Sequence, residues 1–176
     1  VVSIQDIAMK RGNLTILVAD DSYEDHLLLR RAFLKCAKPG VTLQMTSSGN
    51  EAVAYLRGIE PFEDRNQYPY PTFVLADLKM SDGDGFTILE HLRSTPQSTV
   101  IPTVVLSASS DSDDIKRAYT LGASAYLIKP TDTKALANMV QTLMAFWLYC
   151  EVPEVNKAGV QLQTKNNGKL GERFEV

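Results

Sequence analysis

No run of about 18 or more apolar residues occurs in the chain, so no segment is expected to span a bilayer. Cysteine is scarce: Cys36 and Cys150 stand far apart, with neither the density of a disulfide framework nor metal-ligand spacing. With no secretory leader recognisable, a reducing, cytoplasmic setting is the expectation. Basic charge is also lacking. Eighteen Lys and Arg face 21 Asp and Glu, for a net charge of -3 and a pI near 5.4. That excludes the footprint of a nucleic-acid binder and a polybasic membrane patch, and it disfavours a DNA-binding output. The two histidines, His26 and His91, have no ligand spacing, and there is no internal repeat or low-complexity tract.

What the chain does have is an apolar run that closes on one acid. Phe73-Val74-Leu75-Ala76-Asp77 precedes the glycine-bearing loop Lys79-Met80-Ser81-Asp82-Gly83-Asp84-Gly85. Bulky apolar residues without alternation mark a strand buried on both faces, which places Asp77 at the C-terminal edge of a parallel sheet. Open α/β folds carry their chemistry at that edge. Leu14 to Ala19 is a second such strand, closing on Asp20 and Asp21. Thr103-Val104-Val105-Leu106-Ser107 is another, and Ala125-Tyr126-Leu127-Ile128 runs into Lys129-Pro130. Val41 to Thr46 alternates enough for an edge strand.

Helical patterns lie between these strands. Ser22 or Asp21 can cap a helix carrying Leu29, Ala32, Phe33 and Cys36, with Pro39-Gly40 as its stop and Cys36 as a packing residue. Gly49 to Leu56 is a short helix; Phe86, Leu89 and Leu92 mark another ending near Pro96. Asp111 to Leu121 ends at Gly122. The last helix starts near Thr131 or Asp132 and carries Leu136, Met139, Val140, Leu143, Met144 and Trp147; its end, Ala145 to Cys150, is apolar on more faces than one core contact requires. An exposed face there predicts a partner surface. Arg57 to Thr72, with Pro61, Pro69 and Pro71, is expected as a long loop on the far side of the sheet. The domain organisation predicted is a lead-in at 1–13, one domain at 14–150, and a polar tail at 151–176 with a hairpin signal at Asn166-Asn167-Gly168.

Five strands alternating with helices predict a three-layer α/β sandwich with parallel order 2-1-3-4-5. Strands one, three, four and five then bring Asp20, Asp21, Asp77, Ser107 and Lys129 together. With strands about 4.8 Å apart, two carboxylates at roughly 4 to 5 Å repel by about 4 kcal/mol at an effective dielectric near 20. A cation must compensate, and hard oxygen donors suit Mg²⁺. With Lys129 on the other flank, negative charge on a transferring phosphoryl group is neutralised from two sides, and the Ser107 hydroxyl can bond one of its oxygens.

These residues resemble the receiver domain of two-component response regulators, from the Asp20-Asp21 pair through Ala-Asp77-Leu-Lys-Met-Ser-Asp-Gly-Asp-Gly and Leu-Ser107-Ala-Ser to Tyr126-Leu-Ile-Lys129-Pro130. The resemblance spans roughly Leu14 to Tyr149 and implies the flavodoxin-like (βα)5 fold. It implies that Asp77 is both phosphoacceptor and metal ligand, with Asp20, Asp21 and the Lys79 carbonyl completing a Mg²⁺ site. It further implies that Ser107 and Lys129 bind the phosphoryl group, that Ser107 and Tyr126 form the switch, and that the Lys129-Pro130 bond is cis. The phosphodonor histidine is expected from a partner, a sensor histidine kinase. The long 57–72 insert resembles stand-alone regulators of bacterial phytochrome-type kinases. Ser81 stands where the family commonly has proline, so the acceptor loop is expected to be less rigid.

The function expected is that of a single-domain response regulator that is not a turnover enzyme but promotes its own dephosphorylation. Output passes through protein contact, including a homodimer through the last helix and the fourth and fifth elements. A phosphorelay intermediate or phosphate sink is the alternative. An aspartyl-phosphate hydrolase would need an acid two residues beyond the nucleophile, where Lys79 stands.

Overall fold

A computed structural model describes residues 14–36, 40–95, 101–150 and 156. The lead-in, Pro39, Pro96 and the tail's hairpin signal lie outside the described residues, as does the side chain of Cys36. Five strands form one sheet: β1 (Leu14–Ala19), β2 (Val41–Thr46), β3 (Phe73–Ala76), β4 (Thr103–Ser107) and β5 (Ala125–Ile128). All neighbours are parallel, in the order β2-β1-β3-β4-β5. The helices are α1 (Tyr23–Cys36), α2 (Gly49–Arg57), α3 (Gly85–Ser94), α4 (Ser112–Thr120) and α5 (Thr133–Tyr149). The fold is therefore the flavodoxin-like sandwich that the strand pattern predicts.

The three central strands are buried on both faces, which is why their sequences do not alternate. On one face, Ile16, Val18, Phe73, Leu75, Val104 and Leu106 pack against Leu29 and Phe33 of α1 and Val140 and Trp147 of α5. The Trp147 ring stacks on Phe73 at 5.3 Å. On the other face, Leu17, Val74 and Ala76 meet Tyr55 of α2 and Ile88 of α3, while Val105 meets Leu89 and Ala118 of α4. Each large side chain so buried contributes about 1.5–3 kcal/mol.

Polar residues set the helix boundaries. The Ser22 hydroxyl accepts from the Asp25 amide, so Ser22 rather than Asp21 caps α1. Asp84 and Thr87 form a reciprocal capping box on α3, and Asp111 and Asp132 cap α4 and α5. Gly122, at φ 99°, turns the chain after α4 as expected.

Two expectations are corrected. The Lys129-Pro130 bond is not cis; among the described residues the cis bond is Glu60-Pro61. The trans form is favoured for X-Pro by about 0.5–1 kcal/mol, and from a trans bond Lys129 already reaches its partners. The acceptor loop is not loose either. Asp82 accepts from the Ser48 hydroxyl and the Asn50 side-chain amide, and Gly49 N–H donates to the Gly83 carbonyl. Ser81 N–H donates to Asp21 at 2.8 Å, a bond that proline could not make.

Candidate functional site

Strand register assembles the site. Ala19 pairs with Ala76, so the next residues, Asp20 and Asp77, leave adjacent strands at the same level. Ser107 pairs with Ile128, which places Lys129 one step beyond. Backbone bonds hold the rim: Asp77 N–H donates to the Ala19 carbonyl and Lys129 N–H to the Ser107 carbonyl, both at 2.8 Å.

The Lys129 ammonium lies at the centre. It donates to Asp20 at 2.7 Å, to Asp25 at 2.9 Å and to Asp77 at 3.0 Å. Asp20 is 1% exposed, and its other oxygen accepts from the Ser22 amide. Burial pushes the Asp20 carboxyl above its ordinary range, outweighing the Lys129 and Ser22 hydrogen bonds. Burial alone would pull the Lys129 ammonium down, but the bonds to Asp20 and Asp25 and the charges of Asp20 and Asp77 overcome it, so the net shift is upward. The two directions agree physically, because one ammonium surrounded by three carboxylates is over-supplied with anions while each acid receives only a share of it.

The predicted residues divide into three groups. Asp20, Asp77 and Lys129 meet directly. Asp21 is exposed at the rim and turns to the Ser81 amide. The Lys79 amide donates to the free Asp77 oxygen, while its ammonium pairs with Asp114 at 3.7 Å. Ser107 is buried, and its hydroxyl accepts from the Ser109 amide. Tyr126 donates its hydroxyl to the Ser109 carbonyl at 2.9 Å, so Ser107 and Tyr126 are joined through the backbone of Ser109. The Ser109 hydroxyl donates to Asp114 at 2.6 Å. His26 bonds the Thr46 carbonyl and takes no part in the cluster.

Asp25 escaped the sequence reading. A first-turn acid is ordinarily read as complementing the helix dipole, and only the rotation of α1 against the sheet reveals that this one faces Lys129.

Among the described residues, no three acids or histidines stand ready to hold a metal ion. The Lys129 ammonium occupies the space between the carboxylates. The donor chemistry nevertheless fits a hard divalent cation: the carboxylates of Asp20, Asp25 and Asp77 are gathered around one lysine, with that of Asp21 nearby at the rim on the Ser81 amide.

No helix among the described residues is long and apolar enough to cross a membrane. The family model described as the response regulator receiver domain matches residues 16–141. The response regulator Rcp1 of Synechocystis is 33% identical over 133 residues, 76% of this chain and 88% of Rcp1. Among solved structures, the response regulator in red light signaling of R. palustris has a TM-score of 0.75 at 31% identity, covering 81% of this chain and 99% of its own. The phosphorylated cyanobacterial phytochrome response regulator RcpA has a TM-score of 0.75 at 29% identity, covering 81% and 100%. The Mn(2+)-bound form of Rcp1 has a TM-score of 0.73 at 32% identity, covering 80% and 99%.

Proposed function

The chain belongs to the response regulator receiver family, and from that premise we propose that it accepts a phosphoryl group on Asp77 from a sensor histidine kinase. The observation that carries this reading is the Lys129 ammonium held among Asp20, Asp25 and Asp77 at the rim of the sheet. In the transfer, an Asp77 carboxylate oxygen forms the new O–P bond as the P–N bond of the donor phosphohistidine breaks. The electron pair stays on the imidazole, which takes up a proton, and the product is an acyl phosphate.

Mg²⁺ held by Asp20, Asp21, Asp77 and the Lys79 carbonyl would supply positive charge to the phosphoryl oxygens; the Mn(2+)-bound Rcp1 neighbour supports a divalent ion here. Lys129 moves from the carboxylates to the incoming phosphoryl oxygen, and the Ser107 hydroxyl takes another. Ser107 leaving the Ser109 amide disturbs the same peptide segment that holds the Tyr126 hydroxyl, which passes the event to β5. Lys79 and Ser109, both tied to Asp114, flank the approach to Asp77 and set how fast the chain removes its own phosphoryl group.

The kinase is proposed to be of phytochrome type, by the similarity to RcpA, and the setting cytoplasmic. Output is through protein contact, including a homodimer through α4, β5 and α5, where Tyr119, Ile128 and Phe146 are 51%, 47% and 58% exposed. The test is labelling of the purified chain by a phosphorylated histidine kinase with Mg²⁺. Wild type takes the label and Asp77→Asn does not; label persisting on Asp77→Asn overturns the site.

A further inference from the structure

We propose that Asp25 is a positioning residue of this site, one that takes a share of the Lys129 ammonium otherwise divided between Asp20 and Asp77 alone and so eases the release of those two acids to a divalent cation. The proposal rests on the phosphoacceptor reading above but concerns a residue outside the set carried over from the family.

The geometry separates Asp25 from an ordinary first-turn acid. Its backbone N–H is satisfied by the Ser22 hydroxyl at 3.2 Å, so the helix end is capped without its side chain. Glu24, beside it, already supplies a negative charge to the same turn. The Asp25 carboxylate instead reaches Lys129, 104 positions away in sequence, at 2.9 Å in a half-buried setting. The next residue, His26, bonds the Thr46 carbonyl at the end of β2, which fixes this turn of α1 against the rim of the sheet.

An ammonium has three N–H donors, and here each has its own acid. Remove the Asp25 carboxylate and the same positive charge is divided between two acids rather than three. Lys129 then holds Asp20 and Asp77 more firmly, and the rim also loses one negative charge. Both changes act against a cation. With Asp25 present, the lysine keeps an anchor on α1 when it releases Asp20 and Asp77, so it remains within reach of an arriving phosphoryl oxygen.

The test titrates Mn²⁺ alone into the full chain and reads the heat of binding. Asp25→Asn is expected to bind about 10-fold more weakly, the lower end of what removal of an outer partner of a metal site costs. Asp25→Glu, which restores the charge, recovers most of the affinity. In phosphodonor labelling, the Mn²⁺ concentration for half-maximal rate rises by the same factor in Asp25→Asn. Asp25→Ser, with circular dichroism, replaces Asp25→Asn if that variant does not fold. A residue serving only the helix end would lower the melting temperature and leave the affinity alone. Equal affinity of wild type and the charge-removed variant overturns the proposal, as does a wild type that binds no cation. A wild type that binds the cation yet takes no label counts against the phosphoacceptor reading and leaves the role of Asp25 in cation binding standing.

Discussion

Gly49 shows how closely a single residue can be tied to the acceptor loop without touching the chemistry. A Cβ placed on it would lie 2.5 Å from the carbonyl oxygens of both Gly83 and Asp84, and neither is a flexible side-chain end that can give way. Its own N–H donates to the Gly83 carbonyl, while Asn50 and Ser48 hold Asp82. Gly49→Ala therefore has to push the loop off the start of α2. The expected cost is about 1–3 kcal/mol in urea denaturation, the usual range for over-packing. The loop that moves is the one that follows Asp77, so labelling of the folded variant slows as well. A variant as stable and as fast as wild type would show that the loop is not held here. Ser81 makes the complementary point. Read from the sequence, serine in place of proline suggests slack, but its free N–H is what fastens Asp21.

At the scale of the element, the segment between α2 and β3 is a loop, as its prolines suggest, yet it is not free. Arg65 folds back over the end of α2 and donates to the carbonyls of Tyr55 and Leu56, with a further bond to that of Tyr68. These are the carbonyls that a helix C-terminus leaves without partners. The guanidinium also lies over the Tyr55 and Tyr70 rings, and Phe62 and Tyr68 close the cluster. No periodic pattern announces this arrangement, because its bonds run from one side chain to backbone carbonyls and ring faces. The charged residues Glu60, Glu63, Asp64 and Arg65 therefore read as a solvated loop when only the sequence is in hand. Arg65→Lys keeps the charge but loses the planar fork, and at roughly 1.5–3 kcal/mol for charge-assisted bonds the fold should lose on the order of 2 kcal/mol. A melting temperature lower by about 4–8 °C, with labelling of Asp77 at 25 °C unchanged, is the expected outcome. Slowed labelling at full folding would mean that the segment communicates with the opposite rim of the sheet.

For the molecule as a whole, the sheet and the convergence of Asp20, Asp77 and Lys129 were legible because a strand buried on both faces writes itself as an unbroken apolar run ending at the reactive edge. Asp25 was not, since its role depends on how α1 is rotated, and neither was the Ser109 link between Ser107 and Tyr126, which runs through backbone atoms. That link ends on β5, an open edge of the sheet. Sheet edges invite pairing unless something blunts them, and here the Tyr126 N–H donates to the Tyr119 hydroxyl at 3.2 Å. Tyr119, Ile128 and Phe146, on α4, β5 and α5 in turn, each expose about half of the side chain. Water is a poor neighbour for such groups, and a second copy would cover them. Light scattering of the wild type with Mg²⁺ and beryllofluoride is therefore expected to give the mass of a dimer. Phe146→Glu, which places a carboxylate in the covered face, is expected to give a monomer that still takes label on Asp77. If the wild-type dimer is present without beryllofluoride as well, pairing is constitutive and the signal travels in another contact; if it appears only on addition, pairing is the output. A wild type that stays monomeric in both conditions at tens of micromolar, or a Phe146→Glu dimer, would remove this face from the account.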